Sequence, residues 1–215
     1  MPTKTKKTTS PPRRETSLRK LPSQARSRER YERMLSAAAE LLNEQGYDQL
    51  KTVTIAERAG VPVGTVYQFF PNKHSILTVL VERWLELDNV ALATIEARRD
   101  QYNSVVDEFI DLAKVWVDDY KANRNLLALV PLIPNIPELF EMTEAHDKAY
   151  AKRLTLIMDR HSLKADAATK MALAGYYTII VDAAGISIAT ETPKRAKLKS
   201  RFLFDSVHDL FSRYI

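Results

Sequence analysis

Between Thr52 and Lys73 the chain strings together groups that suit non-covalent recognition: the hydroxyls of Thr52, Thr54, Thr65 and Tyr67, the amide of Gln68 and the ammonium of Lys73. Hydroxyls and an ammonium suit phosphate oxygens, and a glutamine amide matches the N6/N7 edge of adenine. The spacing around these residues predicts how they are held. Thr52 can cap a short helix whose apolar face is Ile55, Ala56 and Ala59. Gly60 follows, where a helix commonly ends in a left-handed residue. Pro62 suits the loop or first turn of a second helix, Val63 to Phe70, with Val66, Phe69 and Phe70 turned to the core. Pro71 stops that helix, and Asn72 can cap a third one starting at Lys73. Helix, tight turn, helix is the unit that places a helix in the major groove of DNA.

No comparable constellation for bond-making chemistry is present. The chain has four scattered histidines and no cysteine. It has no HExxH, GxSxG, phosphate-binding glycine loop or GxGxxG. The sequence therefore predicts no catalytic residues, no metal site and no cofactor.

The run from Ile55 to Lys73 closely resembles the DNA-binding signature of the TetR family of bacterial transcription regulators. Met34 to Tyr47 resembles that family's first helix and its Gly-aromatic end, here Gly46-Tyr47. The resemblance covers about residues 26–80; the remainder agrees only in length and helical character. Two positions depart from the pattern. Leu50-Lys51 precedes Thr52 where the family has a pair of threonines or serines. His74-Ser75-Ile76 follows Lys73, so the acid of a capping box is absent.

Carried over residue by residue, the resemblance implies that Val63, Gly64 and Thr65 lie nearest the base edges. Gln68 is the candidate reader of adenine. Tyr67 and Lys73 match phosphate-contacting positions, and Thr52 and Thr54 reach phosphate or a groove edge. The recognition helix has no Arg or Lys, so bidentate guanine reading is not available from it. The fold it implies is all-α, with an N-terminal three-helix DNA-binding head and a larger C-terminal helical domain for effector binding and dimerisation. The expected partners are double-stranded DNA with a palindromic operator, a second copy of the chain and a small organic effector.

Charge supports a nucleic-acid partner. Residues 1–33 carry eleven Lys or Arg and three acids, a net +8 against +5 for the whole chain, so the rest is −3. A basic arm is the footprint expected against phosphate or a minor groove, and a solubilising tail is the alternative. Arg26 and Arg28, beside the first helix, are expected to touch DNA. The division expected is 1–25 as arm, 26–80 as head and 81–215 as body, with residues 1 to about 22 disordered in the free protein. The arm has no apolar core of a secretory signal, and no apolar run approaches the roughly 20 residues that span a bilayer, so the cytoplasm is the default expectation and a membrane partner is not.

Helical patterning dominates the rest. Helices are expected over about 27–45, 73–98, 105–121, 123–130, 138–161, 166–190 and 194–214, with Pro131 to Pro137 as a break. The last two resemble the family's four-helix dimer interface. Gly175, Gly185, Leu203, Val207, Leu210 and Phe211 are the interface candidates, burial within one chain being the alternative. Ligand-pocket candidates are Trp84, Phe109, Trp116, Tyr120 and Phe140. Met142, His146, Tyr150, Tyr176 and Tyr177 join them, although a core has the same composition as a mostly apolar pocket. Asp182 stands alone in an apolar run, and a buried acid needs a partner: a cationic effector, or a group across the dimer. The leading expectation is a homodimeric repressor released by a ligand. The rival is a constitutive DNA binder or activator whose body holds a protein partner.

Overall fold

The computed structural model describes residues 24–215, so most of the basic arm lies outside the described residues. Among the described residues the chain is helical throughout, with no strand. Helices α1 (Ala25–Gln45), α2 (Thr52–Ala59) and α3 (Val63–Phe69) form the head. Helix α4 (Lys73–Glu96) leaves the head and enters the body. The body is α5 (Val105–Ala122), α6 (Pro137–Arg160), α7 (Ala167–Ala189) and α8 (Pro193–Ser212), with 3₁₀ segments at Arg99–Gln101 and Arg124–Asn135.

The head is built on an aromatic cluster. Tyr31 of α1 stacks on Phe70 at 5.2 Å between ring centres and meets Phe69 edge-on at 5.7 Å. Met34, Leu42, Ile55 and Val66 complete a core with almost no solvent access. Gly60 ends α2 at φ +64°, and Val61 N–H donates to Ala56 O, the hydrogen bond that closes a left-handed helix end. Arg58 of α2 reaches back to α1 with two bonds to Glu44, of 3.0 and 2.8 Å.

Two local details differ from the sequence expectation and one agrees with it. Thr52 is the first residue of α2 and not its cap; the extended residue before the helix is Lys51, and Thr54 Oγ1 accepts its amide at 3.3 Å. Asn72 does cap α4, accepting from Ser75 N–H at 3.1 Å, and Ser75 Oγ accepts the Asn72 amide in turn. A buried serine thus stands where the capping-box acid is missing. The segment after Asn123 does not break at its prolines. It runs as a 3₁₀ helix through Pro131 and Pro134, a conformation whose short i→i+3 bonds lose less to a missing amide.

The body packs α5, α7 and α8 against one another, with α6 on α7 and the 3₁₀ segment 124–135 bridging α6 to α1 of the head. Glu108 on α5 is completely buried and is held by Arg160 and by His161 Nε2 at 2.7 Å, which fixes the end of α6 to α5. Sequence reasoning did not single out Glu108, because its partners lie 52 and 53 positions away. Helix α7 also corrects an expectation. Its 23 residues are long and apolar enough to cross a membrane, although only a third of that stretch is buried within the chain. It is an exchange of packing surfaces with α5, α6 and α8 that occupies its inner face.

Gly185 is required by that packing. A Cβ there would lie 2.4 Å from Tyr120 Cδ2 on α5. Gly185→Ala is expected to destabilise the protein by about 1–3 kcal/mol through overpacking. Gly175→Ala, whose Cβ would meet nothing within 4 Å, should leave the free chain unharmed. Chemical denaturation of the two variants measures the contrast.

Candidate nucleic-acid interface and effector chamber

Helix α3 presents a continuous outward surface. Val63, Gly64, Tyr67 and Gln68 are exposed and Thr65 is partly so, while Val66 and Phe69 are buried. The helix is short, and both its ends are set by prolines, Pro62 before it and Pro71 after its last turn. Tyr67 Oη is 2.8 Å from Thr52 Oγ1, which ties the recognition helix to the start of α2. Thr52, Tyr67, Asn72 and Lys73 line one concavity of about 340 Å³ together with Lys51. Hydroxyls, a helix N-terminus and ammonium groups facing one hollow suit a phosphate.

Two of the expected DNA contacts are occupied within the chain. Thr54 Oγ1 donates to Lys51 O at 2.8 Å and is spent on the local backbone. Lys73 Nζ lies 3.8 Å above the centre of the Tyr47 ring and donates to Tyr47 O at 3.2 Å, leaving two of its three N–H groups. Tyr47 in turn meets His74 Nε2 at 3.2 Å. Arg26 and Arg28 are exposed on the first turn and a half of α1.

Residues 34–80 match the family described as bacterial regulatory proteins, tetR family. The match is confined to the head, which carries that family's DNA-binding region. The repressor KstR of Rhodococcus jostii is 36% identical over 63 residues, 29% of this chain and 30% of that protein. The fatty acid metabolism regulator protein of Bacillus subtilis is 43% identical over 53 residues, 25% of this chain and 27% of that one. The chain thus spans less than a third of the length of these curated relatives. Likeness of the whole fold is wider. FadR of Bacillus halodurans superposes with a TM-score of 0.65 at 20% identity, over 85% of this chain and 94% of that one. FadR of Bacillus subtilis, solved with stearoyl-CoA, does so with 0.65 at 20%, over 86% and 99%.

The body holds a small chamber between α4 and α5. Trp84, Leu87, Asp88, Trp116, Asp119 and Tyr120 line a cavity of about 10 Å³, the room of one water. Tyr150 and His146 of α6 lie beside it: Tyr150 is 5.4 Å from the Trp116 ring, and His146 stacks on Tyr150 at 5.7 Å. Tyr120 Oη donates to Asp182 of α7. The sequence candidates Trp84, Trp116, Tyr120, Tyr150 and His146 are therefore brought together. Asp88 and Asp119, which sequence reasoning passed over, join them. The signal was there: Asp88 falls one helical turn after Trp84.

The remaining pocket candidates are placed elsewhere. Phe109 stacks on Phe211 at 4.2 Å, and Tyr177 Oη donates to Phe109 O at 2.9 Å, so both are core pins. Phe140 is exposed on α6, Met142 packs partly buried against the core, and Tyr176 is exposed on α7. None of the five lines the chamber.

The interface candidates need a similar correction. Leu203, Val207, Phe211 and Gly185 are buried inside one chain and present no surface to a partner. Leu210 is partly buried at the edge of an open groove of about 810 Å³ between α7 and α8, and Gly175 keeps open space above it. The exposed large apolar residues of these helices are instead Met171, Tyr176, Ile179, Leu198 and Phe202. Apolar stripes on two sides of α8 read alike in sequence, and only the rotation of the helix separates them.

Burial dominates the electrostatics of the chamber. It pushes the Asp182 carboxyl up from 3.8 to about 6, against the stabilising hydrogen bond from Tyr120. It raises Asp88 well above the carboxylate range, helped by repulsion from Asp182, Asp147 and Asp119. His146, 3.3 Å from Asp88, is pushed down by the same desolvation. For Asp182 the folded state holds its proton more tightly than the unfolded chain. Its contribution is therefore present below pH 4 and is lost as pH rises through about 6. Asp182→Asn keeps an acceptor for Tyr120 without the charge. The wild type should lose about 2–3 kcal/mol between pH 4 and pH 8 relative to this variant. Urea denaturation at both pH values tests the sign; a variant destabilised equally at both would refute it.

Proposed function

We propose that the protein is a sequence-specific DNA-binding transcription regulator and not an enzyme. In this reading residues 26–80 dock on DNA, residues 81–215 bind effector and partner, and residues 1–25 add salt-dependent affinity. It acts in the cytoplasm as a homodimeric repressor on a palindromic operator, released when a small organic molecule occupies the body. The observation that carries this is α3: a two-turn helix whose inner face is core and whose outer face offers Val63, Gly64, Thr65, Tyr67 and Gln68. One such helix reads few base pairs, so two-fold duplication on a palindrome supplies the rest. A relative's structure with stearoyl-CoA supports a small-molecule effector for this fold.

Helix α4 supports a route from body to head. Arg83 on α4 forms a bidentate pair with Glu32 of α1, both bonds 2.7 Å, and the adjacent Trp84 lines the chamber. A ligand that moves Trp84 moves the Arg83 clasp with it. The nearly closed chamber favours the rival reading, a constitutive binder or activator with a protein partner, to this extent: a DNA affinity unmoved by every metabolite tried would decide for it.

Selection of bound DNA from a random library, with the mass of the complex measured alongside, tests the main reading. An enriched palindrome bound by two or four chains is the expected outcome; unselective binding would sink sequence specificity. Tyr67→Ala and Lys73→Ala should weaken cognate and random DNA to the same degree, because phosphate carries no base code. Gln68→Ala should instead relax preference at one base step, by about 1–3 kcal/mol for a bidentate contact. Competition binding with cognate and scrambled duplexes separates the two patterns.

The α7–α8 face supports the dimer. Phe202→Glu with Ile179→Glu, both exposed in the single chain, should convert a dimer to a folded monomer with unchanged helicity. Light scattering reads the mass, and a dimer that survives both charges would move the interface elsewhere.

A further inference from the structure

Resting on the effector reading above, we propose that the chamber between α4 and α5 recognises the ammonium group of an organic cation, seated on Asp88. Three carboxylates from three helices converge there. Asp88 and Asp119 line the cavity, and Asp182 stands behind Tyr120 and repels Asp88. Among the described residues no basic side chain forms an ion pair with Asp119 or Asp182, and Asp88 meets only His146. Arg153 is turned to Asn89 at 3.0 Å and to Glu96 at 3.4 Å, and burial disfavours the charged form of His146. A buried carboxylate without a counter-charge costs several kcal/mol or takes up a proton, and a ligand cation that displaces that proton relieves the cost.

Two further features are independent of the acids. The walls are aromatic: Trp84 and Tyr120 stand 4.7 Å apart, and Trp116 and Tyr150 continue the surface. Such faces attract a desolvated ammonium. Trp116 Nε1 and Tyr150 Oη, on residues only 2% exposed, face each other without a well-formed hydrogen bond to any other group, so the Tyr150 oxygen keeps acceptor capacity within the wall. The Tyr150 oxygen feels both Asp88 and Asp182 and can accept an ammonium N–H. The same charge pattern disfavours a fatty-acyl chain, which would bury carboxylates against methylenes.

The cavity admits an ammonium head and little more. Leu87 separates it from a hollow of about 350 Å³ bounded by α1, α4 and the 3₁₀ segment, lined by Glu32, Arg83 and Asn123 among others. Leu87 lines both spaces. A cation whose body extends past Leu87 therefore ends against the Arg83–Glu32 clasp, between body and head.

The protein supplies its own probe. Trp84 and Trp116 are the only tryptophans in the chain, and both line the chamber, so tryptophan emission reports on this site alone. Hexylamine, hexanol and hexanoate share a chain length and differ in charge. Hexylamine should change the emission saturably and raise the melting temperature of the full chain, while hexanol and hexanoate act at least tenfold more weakly. Asp88→Asn should remove that preference, lowering hexylamine affinity at least tenfold with hexanol unaffected. Equal responses to the three compounds would overturn the proposal. So would a response to stearoyl-CoA with none to hexylamine, or an unchanged preference in Asp88→Asn. Because emission needs no DNA, a protein that binds hexylamine but no DNA loses the regulator reading and keeps the site. A DNA-selective protein without the charge preference loses the site and keeps the regulator.

Discussion

The continuity of α4 is the constraint on which the rest of the structure depends. A helix is stiff because each residue closes a backbone bond four residues away, and breaking it midway strands several polar groups. This one is 24 residues long, on the order of 36 Å, and serves two bodies at once. Its first turn is fixed by the reciprocal Asn72–Ser75 cap, against Tyr47 and the recognition helix. Ten residues on, Arg83 grips α1 and Trp84 walls the chamber. Head and chamber cannot shift independently while those contacts hold.

The chamber and the outer groove use apolar residues in opposite ways. Around the chamber, aromatic rings from α4, α5 and α6 enclose carboxylates and hold water to a minimum, so that charge is felt strongly. Along α7 and α8, Tyr176, Ile179, Leu198 and Phe202 are left in solvent around an open groove. An exposed apolar patch of that kind marks a surface awaiting a partner. The two features lie on different faces of α7, with Asp182 and Gly185 turned to α5 and Ile179 turned away.

Much of the head was legible in the sequence, because its determinants are local. Gly60, Pro62, Pro71 and Asn72 act within a few residues of themselves, and the observed limits of α2, α3 and the start of α4 follow from them. Thr52 was misread as a cap because the choice between neighbouring positions turns on which hydroxyl reaches a free amide; Thr54 does so here. The proline run after Asn123 was misread because proline excludes an α-helix interior but not a short 3₁₀ path. In the chamber, aromatic residue types were enough to suggest Trp84, Trp116 and Tyr120, yet nothing local distinguished them from Phe109 and Tyr177, which the fold spends on its core.

By itself, then, the sequence determined the helical class, the helix-turn-helix with its outward Tyr67 and Gln68, and the presence of a lone acid at Asp182. Those follow from backbone propensity, capping and hydrophobic period, which act over one or two turns. Tertiary structure alone decided which stripe of α8 is core and which is surface, that Asp88 and Asp119 gather near Asp182, and that Glu108 finds Arg160 and His161. These depend on how each helix is rotated about its axis when it meets partners 50 or more positions away, and a helical period leaves that rotation open.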